Sequence, residues 1–389
     1  MRVKYREKLC FHTFLILICM LSSCKSSSYL RKTELTDLKA SKTLKKTYLR
    51  IRNMSRKEIA LGHQDATAYG VVWKHDGSGT LDRSDIDDVT GKFPAVYGFD
   101  IGHIELGNTH NLDSVPFDLM RKLIVKAHEN GGIVTLSWHA DNPVSGGSSW
   151  DTVPAVSQIL KGGNFRKRYE GWMEKVALFI RSLKDAHGQP VPVVFRPFHE
   201  MNGSWFWWGA GNCSINDYVQ LWRETVNLLR YEHKVHNVLY AYSPNTLNEK
   251  EEYLRFYPGD DFVDILGIDI YNHSGDDIYR EALRNDIAVM RAFAASRDKP
   301  FALTETGNIQ RGHPRWWTEV LYPAVKNSGI AWLLVWRNHS PEHFFAPYPE
   351  DPLADDFRMF GEHKDILFLK DIREIGFEPR PDFTRQPGK

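Results

Sequence analysis

A (β/α)8 barrel, an α/β single catalytic domain, is the fold this sequence predicts, on three observations. Eight short apolar, β-branched runs alternate with longer stretches of helical spacing. Most of those runs are apolar nearly throughout, as parallel strands covered on both faces should be. The rival, an open doubly wound sheet built for nucleotides, lacks its marks: no Gly-x-Gly-x-x-Gly follows the first strand, and there is no Gly-Lys-Ser/Thr phosphate loop.

In order, the strands are expected at 59–63, 95–101, 132–138, 193–198, 238–243, 263–271, 301–305 and 331–336, with 69–73 a competitor for the first. Gaps of 28 to 60 residues between strand ends leave room for a loop, a helix and a strand each. Three intervening helices carry end signals. Residues 118–130 stop at Gly131-Gly132, 165–187 stop at Gly188, and 216–232 follow the cap candidate Ser214. No fixed-period repeat or low-complexity tract interrupts the pattern.

The N-terminus reads differently. Residues 1–23 open with Arg2, Lys4, Arg6 and Lys8, continue with an apolar run over 11–21 that is too short to span a bilayer, and close on Leu21-Ser22-Ser23-Cys24. This resembles a bacterial lipoprotein signal, with cleavage before a Cys24 that carries the lipid. The expected division is a leader over 1–23, a lipid-anchored linker over 24–43, the catalytic domain over 44–375 and a tail over 376–389. Helical spacing over 30–57 suggests a basic helix, packed on the domain in preference to the alternative of lying near anionic head groups. Cys10 and Cys19 leave with the leader, so Cys213 is the one thiol expected in the body, which excludes an internal disulfide and a four-thiolate zinc site.

The net charge of +1 over 389 residues hides a cancellation. Residues 1–23 carry +3, residues 25–58 carry +8, and the remainder is therefore −10. An acidic body of this composition is not a nucleic-acid-coating protein.

In a barrel of this kind the chemistry sits at the carboxyl ends of the strands. The polar residues ending the apolar runs are Ser137-Trp138-His139, Arg196-Pro197-Phe198-His199-Glu200, Asp269-Ile270-Tyr271, Thr304-Glu305 and Trp336-Arg337. Glu200 and Glu305 end strands four and seven and are expected to face one another. Two opposed carboxylates suit glycoside hydrolysis, and a retaining pair stands about 5–5.5 Å apart. Glu200, followed by Trp205, Phe206, Trp207 and Trp208, has the aromatic surroundings that raise a carboxyl pKa and is expected to be the acid; Glu305 is the nucleophile. Tryptophans near the strand ends can stack on pyranose rings, Trp205 and Trp336 foremost, while Trp222 and Trp332 are expected in the core. A catalytic metal is not expected: His-Glu-x-x-His would need histidine at 203, where Gly203 stands, and Pro197 argues against a helix there.

The segment from Phe195 through Glu200 to Gly209 closely resembles the acid/base segment of glycoside hydrolase family 26, mostly β-mannanases. The likeness extends through Gly62-His63-Gln64-Asp65, Gly98-Phe99-Asp100, Ser137-Trp138-His139, Gly267-Ile268-Asp269-Ile270-Tyr271, Thr304-Glu305 and Val335-Trp336-Arg337-Asn338. It implies Glu200 as acid/base and Glu305 as nucleophile of a retaining double displacement. By the same likeness His199 stands beside the acid/base, Tyr271 hydrogen-bonds the nucleophile, and Trp336 lies under the sugar. His139, Trp150, Trp205, Asp269 and Arg337 match substrate-binding positions.

The resemblance alone makes the substrate β-1,4-mannan, galactomannan or glucomannan, with no cofactor. The alternatives are another activity of the family, a β-1,3-xylanase or mixed-linkage β-glucanase, or a non-catalytic glycan-binding lipoprotein. A monomer is expected, held to a membrane by its lipid. No acidic run follows Cys24, which favours the periplasmic side over the cell surface.

Overall fold

The structure, a computed structural model, describes residues 35–55 and 58–375. The expected leader, the lipidation site Cys24 and the tail over 376–389 lie outside the described residues. No helix among the described residues is long and apolar enough to cross a membrane.

Eight parallel strands close on themselves: β1 (Ile59–Gln64), β2 (Val96–Asp100), β3 (Ile133–Trp138), β4 (Val193–Pro197), β5 (Val238–Tyr242), β6 (Ile265–Asn272), β7 (Phe301–Asn308) and β8 (Trp332–Val335). Closure is made by β1, which sets Gly62 against Val96 of β2 and Ala60 against Trp332 of β8. These are the eight expected strands. Residues 69–73 contribute only one antiparallel bridge, from Tyr69 to Lys74. A short β9 (Ile366–Leu367), too brief to leave a sequence pattern, pairs with the first residues of β1.

The near-continuous apolar character of the strands has a direct cause: alternate side chains enter two different cores. Leu61, Phe99, Leu136, Phe195, Tyr240, Ile268, Leu303 and Leu333 pack outward against the helices. Ala60, Val96, Ile133, Val194, Leu239, Ile265, Ala302 and Trp332 fill the interior. The barrel is a packed core, not a pore.

The helices in chain order are α1 (Lys42–Met54), α2 (Asp85–Thr90), α3 (Phe117–Glu129), α4 (Val156–Ile159), α5 (Arg166–Ser182), α6 (Ile215–Asn227), α7 (Glu252–Arg255), α8 (Asp276–Arg297), α9 (Tyr322–Val325), α10 (Ala354–Gly361) and α11 (Leu369–Arg373). Two of the expected ends hold: α3 stops before Gly131, whose φ of 87° suits glycine, and the Ser214 hydroxyl caps α6 by accepting from the Asp217 N–H at 3.1 Å. Helix α5 ends before the expected 187, because Lys184 pairs with Pro190 in an antiparallel bridge.

Helix α1 closes the end of the barrel where the strands begin. Leu44, Tyr48, Ile51 and Met54 lie along one face and join the interior core, each burial contributing about 1.5–3 kcal/mol. The helix is shorter than the 30–57 spacing suggested, because the Ser41 hydroxyl caps it by accepting from the Leu44 N–H at 3.0 Å. The preceding residues are tied down instead: the Thr36 N–H and hydroxyl donate to Asp264, and His236 pairs with Asp37 at 2.8 Å. Among the described residues, packing against the barrel thus extends back to Leu35.

One irregularity positions the site. Between β6 and β7 the register passes from Ile268 opposite Leu303 to Asp269 opposite Glu305, so Thr304 is an extra residue. Leu303 points outward, while the Thr304 hydroxyl donates inward to Asp269 Oδ1 at 2.7 Å. The bulge turns Glu305 inward as well, where strict alternation would have sent it out with Leu303.

Candidate active site

The strand ends open into a cleft of about 650 Å³ lined by His139, Trp150, His199, Glu200, Trp205, Tyr271, Glu305, Trp336 and Arg337 among others. Nine of the ten cleft residues expected from sequence are therefore brought together. The tenth, Asp269, is not among the residues lining the cleft and lies fully buried beneath it. Its place on β6 puts it under Arg196, and it accepts from that guanidinium at 2.8 Å and from the Ser243 hydroxyl at 2.7 Å.

Glu305 is held from two sides. Arg196 donates to Oε1 and the Tyr271 hydroxyl donates to Oε2 at 2.7 Å. His199 Nε2 stands 3.9 Å from Oε1. Burial, then the charges of Arg196 and His139, depress the His199 pKa, so this imidazole is neutral.

Glu200 is held by neutral donors only. Asn245 Nδ2 donates to Oε1 at 2.8 Å and the Trp205 indole to Oε2 at 2.9 Å. Burial, then the charge of Glu305, pushes its carboxyl up to about 7. Burial also lifts Glu305 to about 7, against the pull of Arg196. The two carboxylates repel, so a proton on one favours the ionised form of the other. The guanidinium bonded to Glu305 favours the ionised form there and so the proton on Glu200.

Glu200, Asp269 and Glu305 each bring one oxygen within 4.8 Å of the others. Three carboxylates at that spacing could hold a cation. Arg196 already supplies positive charge there, bonding both Asp269 and Glu305.

The backbone at Glu200 is strained. Phe198 and Glu200 have φ of 49° and 54°, a region costing a non-glycine residue about 1–3 kcal/mol. Three hydrogen bonds hold it: Glu200 N–H to Ser243 O at 2.8 Å, the Tyr218 hydroxyl to Phe198 O at 2.9 Å, and the Trp208 indole to His199 O at 2.8 Å. The aromatic run after Glu200 is therefore mainly structural. Trp207 and Trp208 are fully buried, Trp207 donating to Ala140 O, and Trp138, Trp316 and Trp317 also belong to the core with Trp222 and Trp332. Among the described residues, Trp150, Trp205 and Trp336 alone offer indoles to the cleft.

The remaining cleft residues build its walls. His139 stacks on Trp150 with centroids 5.2 Å apart and bonds Asp100 at 2.6 Å. Burial opposes charge on His139, but Asp100 outweighs it and raises the pKa. Arg337 pairs with Asp113 at 3.0 Å. Asn245 was missed by the strand-end reading, although the end of strand five, Ser243-Pro244-Asn245, offered the same signal as the others. Arg196 was read as part of a strand end and not as the guanidinium that holds Glu305.

Known proteins share this fold and sequence pattern. The family model for glycosyl hydrolase family 26 matches residues 36–312. A mannan endo-1,4-β-mannosidase of Bifidobacterium adolescentis is 33% identical over 94% of this chain and 38% of its own length. The GH26 β-mannanase structure from Bacteroides ovatus is 42% identical over 85% of this chain and 96% of its own, with a TM-score of 0.81. The catalytic domain of a GH26 endo-β-1,4-mannanase from Bacillus sp. JAMB-750 is 32% identical over 88% and 95%, with a TM-score of 0.80. The chain spans between 38% and 63% of the length of the first four curated relatives.

Proposed function

The chain belongs to glycosyl hydrolase family 26, and from that premise we propose that it hydrolyses β-1,4-mannosidic bonds in mannan, galactomannan or glucomannan with net retention. The observation that carries this reading is the unequal holding of two facing carboxylates. Glu305 is bonded by a guanidinium and a phenol, and Glu200 by two neutral donors, with oxygens closer than 4.8 Å. Inverting pairs stand about 6.5–9.5 Å apart to admit a water.

The cycle begins with a mannosyl ring over Trp336. Glu305 attacks the anomeric carbon while Glu200 gives its proton to the departing glycosidic oxygen. The Glu200 carboxylate left behind takes a proton from water, whose oxygen displaces Glu305 and restores both groups. Tyr271 and Arg196 stabilise Glu305 as a leaving carboxylate in the second step. Mannan as the substrate is supported by the names of the relatives. Proton NMR of the first products from mannohexaose tests the reading: the β-anomer must appear before mutarotation. An α-anomer first would overturn retention, and turnover of β-1,3-xylan without mannan would overturn the substrate.

The mature chain is further proposed to begin at an acylated Cys24 and to face the periplasm. Its support is the Leu-Ser-Ser-Cys ending and the lack of an acidic run after it. Fatty-acid labelling that persists in a Cys24→Ser chain would sink the anchor.

A further inference from the structure

We propose that the closed end of the barrel is a docking face for anionic phospholipid, so that the cleft points away from the membrane to which the chain is tethered. The inference rests on the proposed anchor at Cys24. It begins with the division of labour in α1. One face of that helix plugs the barrel, and the opposite face exposes Lys42, Lys45 and Lys46. The helix contains five basic residues and no acidic one.

The turn before α1 extends the same character. Lys39 is exposed, and Leu38 beside it is 79% exposed, the most exposed large apolar side chain among the described residues. Asp37, the acidic residue of this turn, is buried against His236. No described acidic side chain pairs with Lys39, Lys42 or Lys45. An exposed apolar side chain followed in the chain by exposed lysines matches a surface with phosphate outside and acyl chains beneath.

Chain length gives the partner its proximity. Lys25 to Glu34 separate Cys24 from Leu35, eleven residue steps that span at most about 40 Å. The tether therefore keeps this end of the barrel near the bilayer. Glu200 and Glu305, at the other ends of the strands, are left open to an extended glycan.

The test uses the mature chain with Cys24→Ser, sedimented with phosphatidylcholine vesicles with and without phosphatidylglycerol. It should bind only the anionic vesicles and be released at about 1 M salt, where the Debye length is about 3 Å. Lys39→Glu, Lys42→Glu and Lys45→Glu should each weaken binding about fivefold or more, and Leu38→Ser should weaken it further. Melting temperature and mannan hydrolysis should not change, which separates lost docking from lost folding. Equal binding to neutral vesicles, or undiminished binding by the triple lysine variant, would overturn the proposal. The anchor fails by a different observation, the absence of acyl mass on Cys24 in the wild-type chain.

Discussion

The Tyr271 hydroxyl donates to Glu305 Oε2 at 2.7 Å, and this bond crosses from β6 to β7 just beyond the bulge that turns Glu305 inward. It fixes the carboxylate plane while Arg196 holds the other oxygen. The site's behaviour can be predicted from how each such bond biases a charge.

Tyr271→Phe should lower kcat tenfold to a hundredfold, since a hydrogen bond to a charged group contributes about 1.5–3 kcal/mol. The bond to Tyr271 lowers the Glu305 pKa, so its loss must raise it. Glu305 works ionised, and the acid limb of the kcat/KM profile should therefore move to higher pH. An unmoved acid limb would remove Tyr271 from the nucleophile.

Asn245→Ala should shift the opposite limb. Asn245 bonds the Glu200 carboxylate and lowers its pKa, which burial sets near 7. Without it Glu200 keeps its proton to higher pH, and the alkaline limb should move upward. A kcat/KM profile measured between about pH 5 and 9 checks the sign.

Glu200→Ala and Glu305→Ala should each lose most activity on mannan. On a substrate with an activated leaving group, azide should partly rescue Glu200→Ala and yield a β-glycosyl azide, because azide replaces the base-assisted water. Wild-type-like turnover by Glu305→Ala would remove the nucleophile assignment.

Gly267→Ala should damage the site from beneath. A Cβ there would lie 2.6 Å from Thr304 Oγ1 and 2.9 Å from Ser243 Cβ, crowding the bulge and the group that supports Asp269. Overpacking of this kind costs about 1–3 kcal/mol. The urea midpoint should fall, and kcat should fall with it as Glu305 shifts. An unchanged kcat would show that the bulge tolerates the extra carbon.

The eight strands were legible because each is apolar on both faces, and the strand ends were legible because polar residues interrupt those runs. Glu200 and Glu305 both stood out at such ends. Asp269 stood out equally but lies buried beneath the cleft, because a strand-end position does not say whether a side chain clears the barrel core. The tryptophans show the same limit: Trp207 and Trp208 are as close to Glu200 in sequence as Trp205, yet they are buried while Trp205 is 39% exposed.

The sequence by itself determined the strand order, the two carboxylates and the chemistry that such a pair can perform. Only the tertiary structure decided that Glu305 faces Glu200 at all. Counting by twos from Leu303 sends Glu305 outward, and the extra residue Thr304 reverses that. The physical reason is that periodicity belongs to one strand, whereas a bulge arises from pairing between two. In the same way Arg196, Tyr271 and Asn245 are joined to the carboxylates only by closure of the barrel.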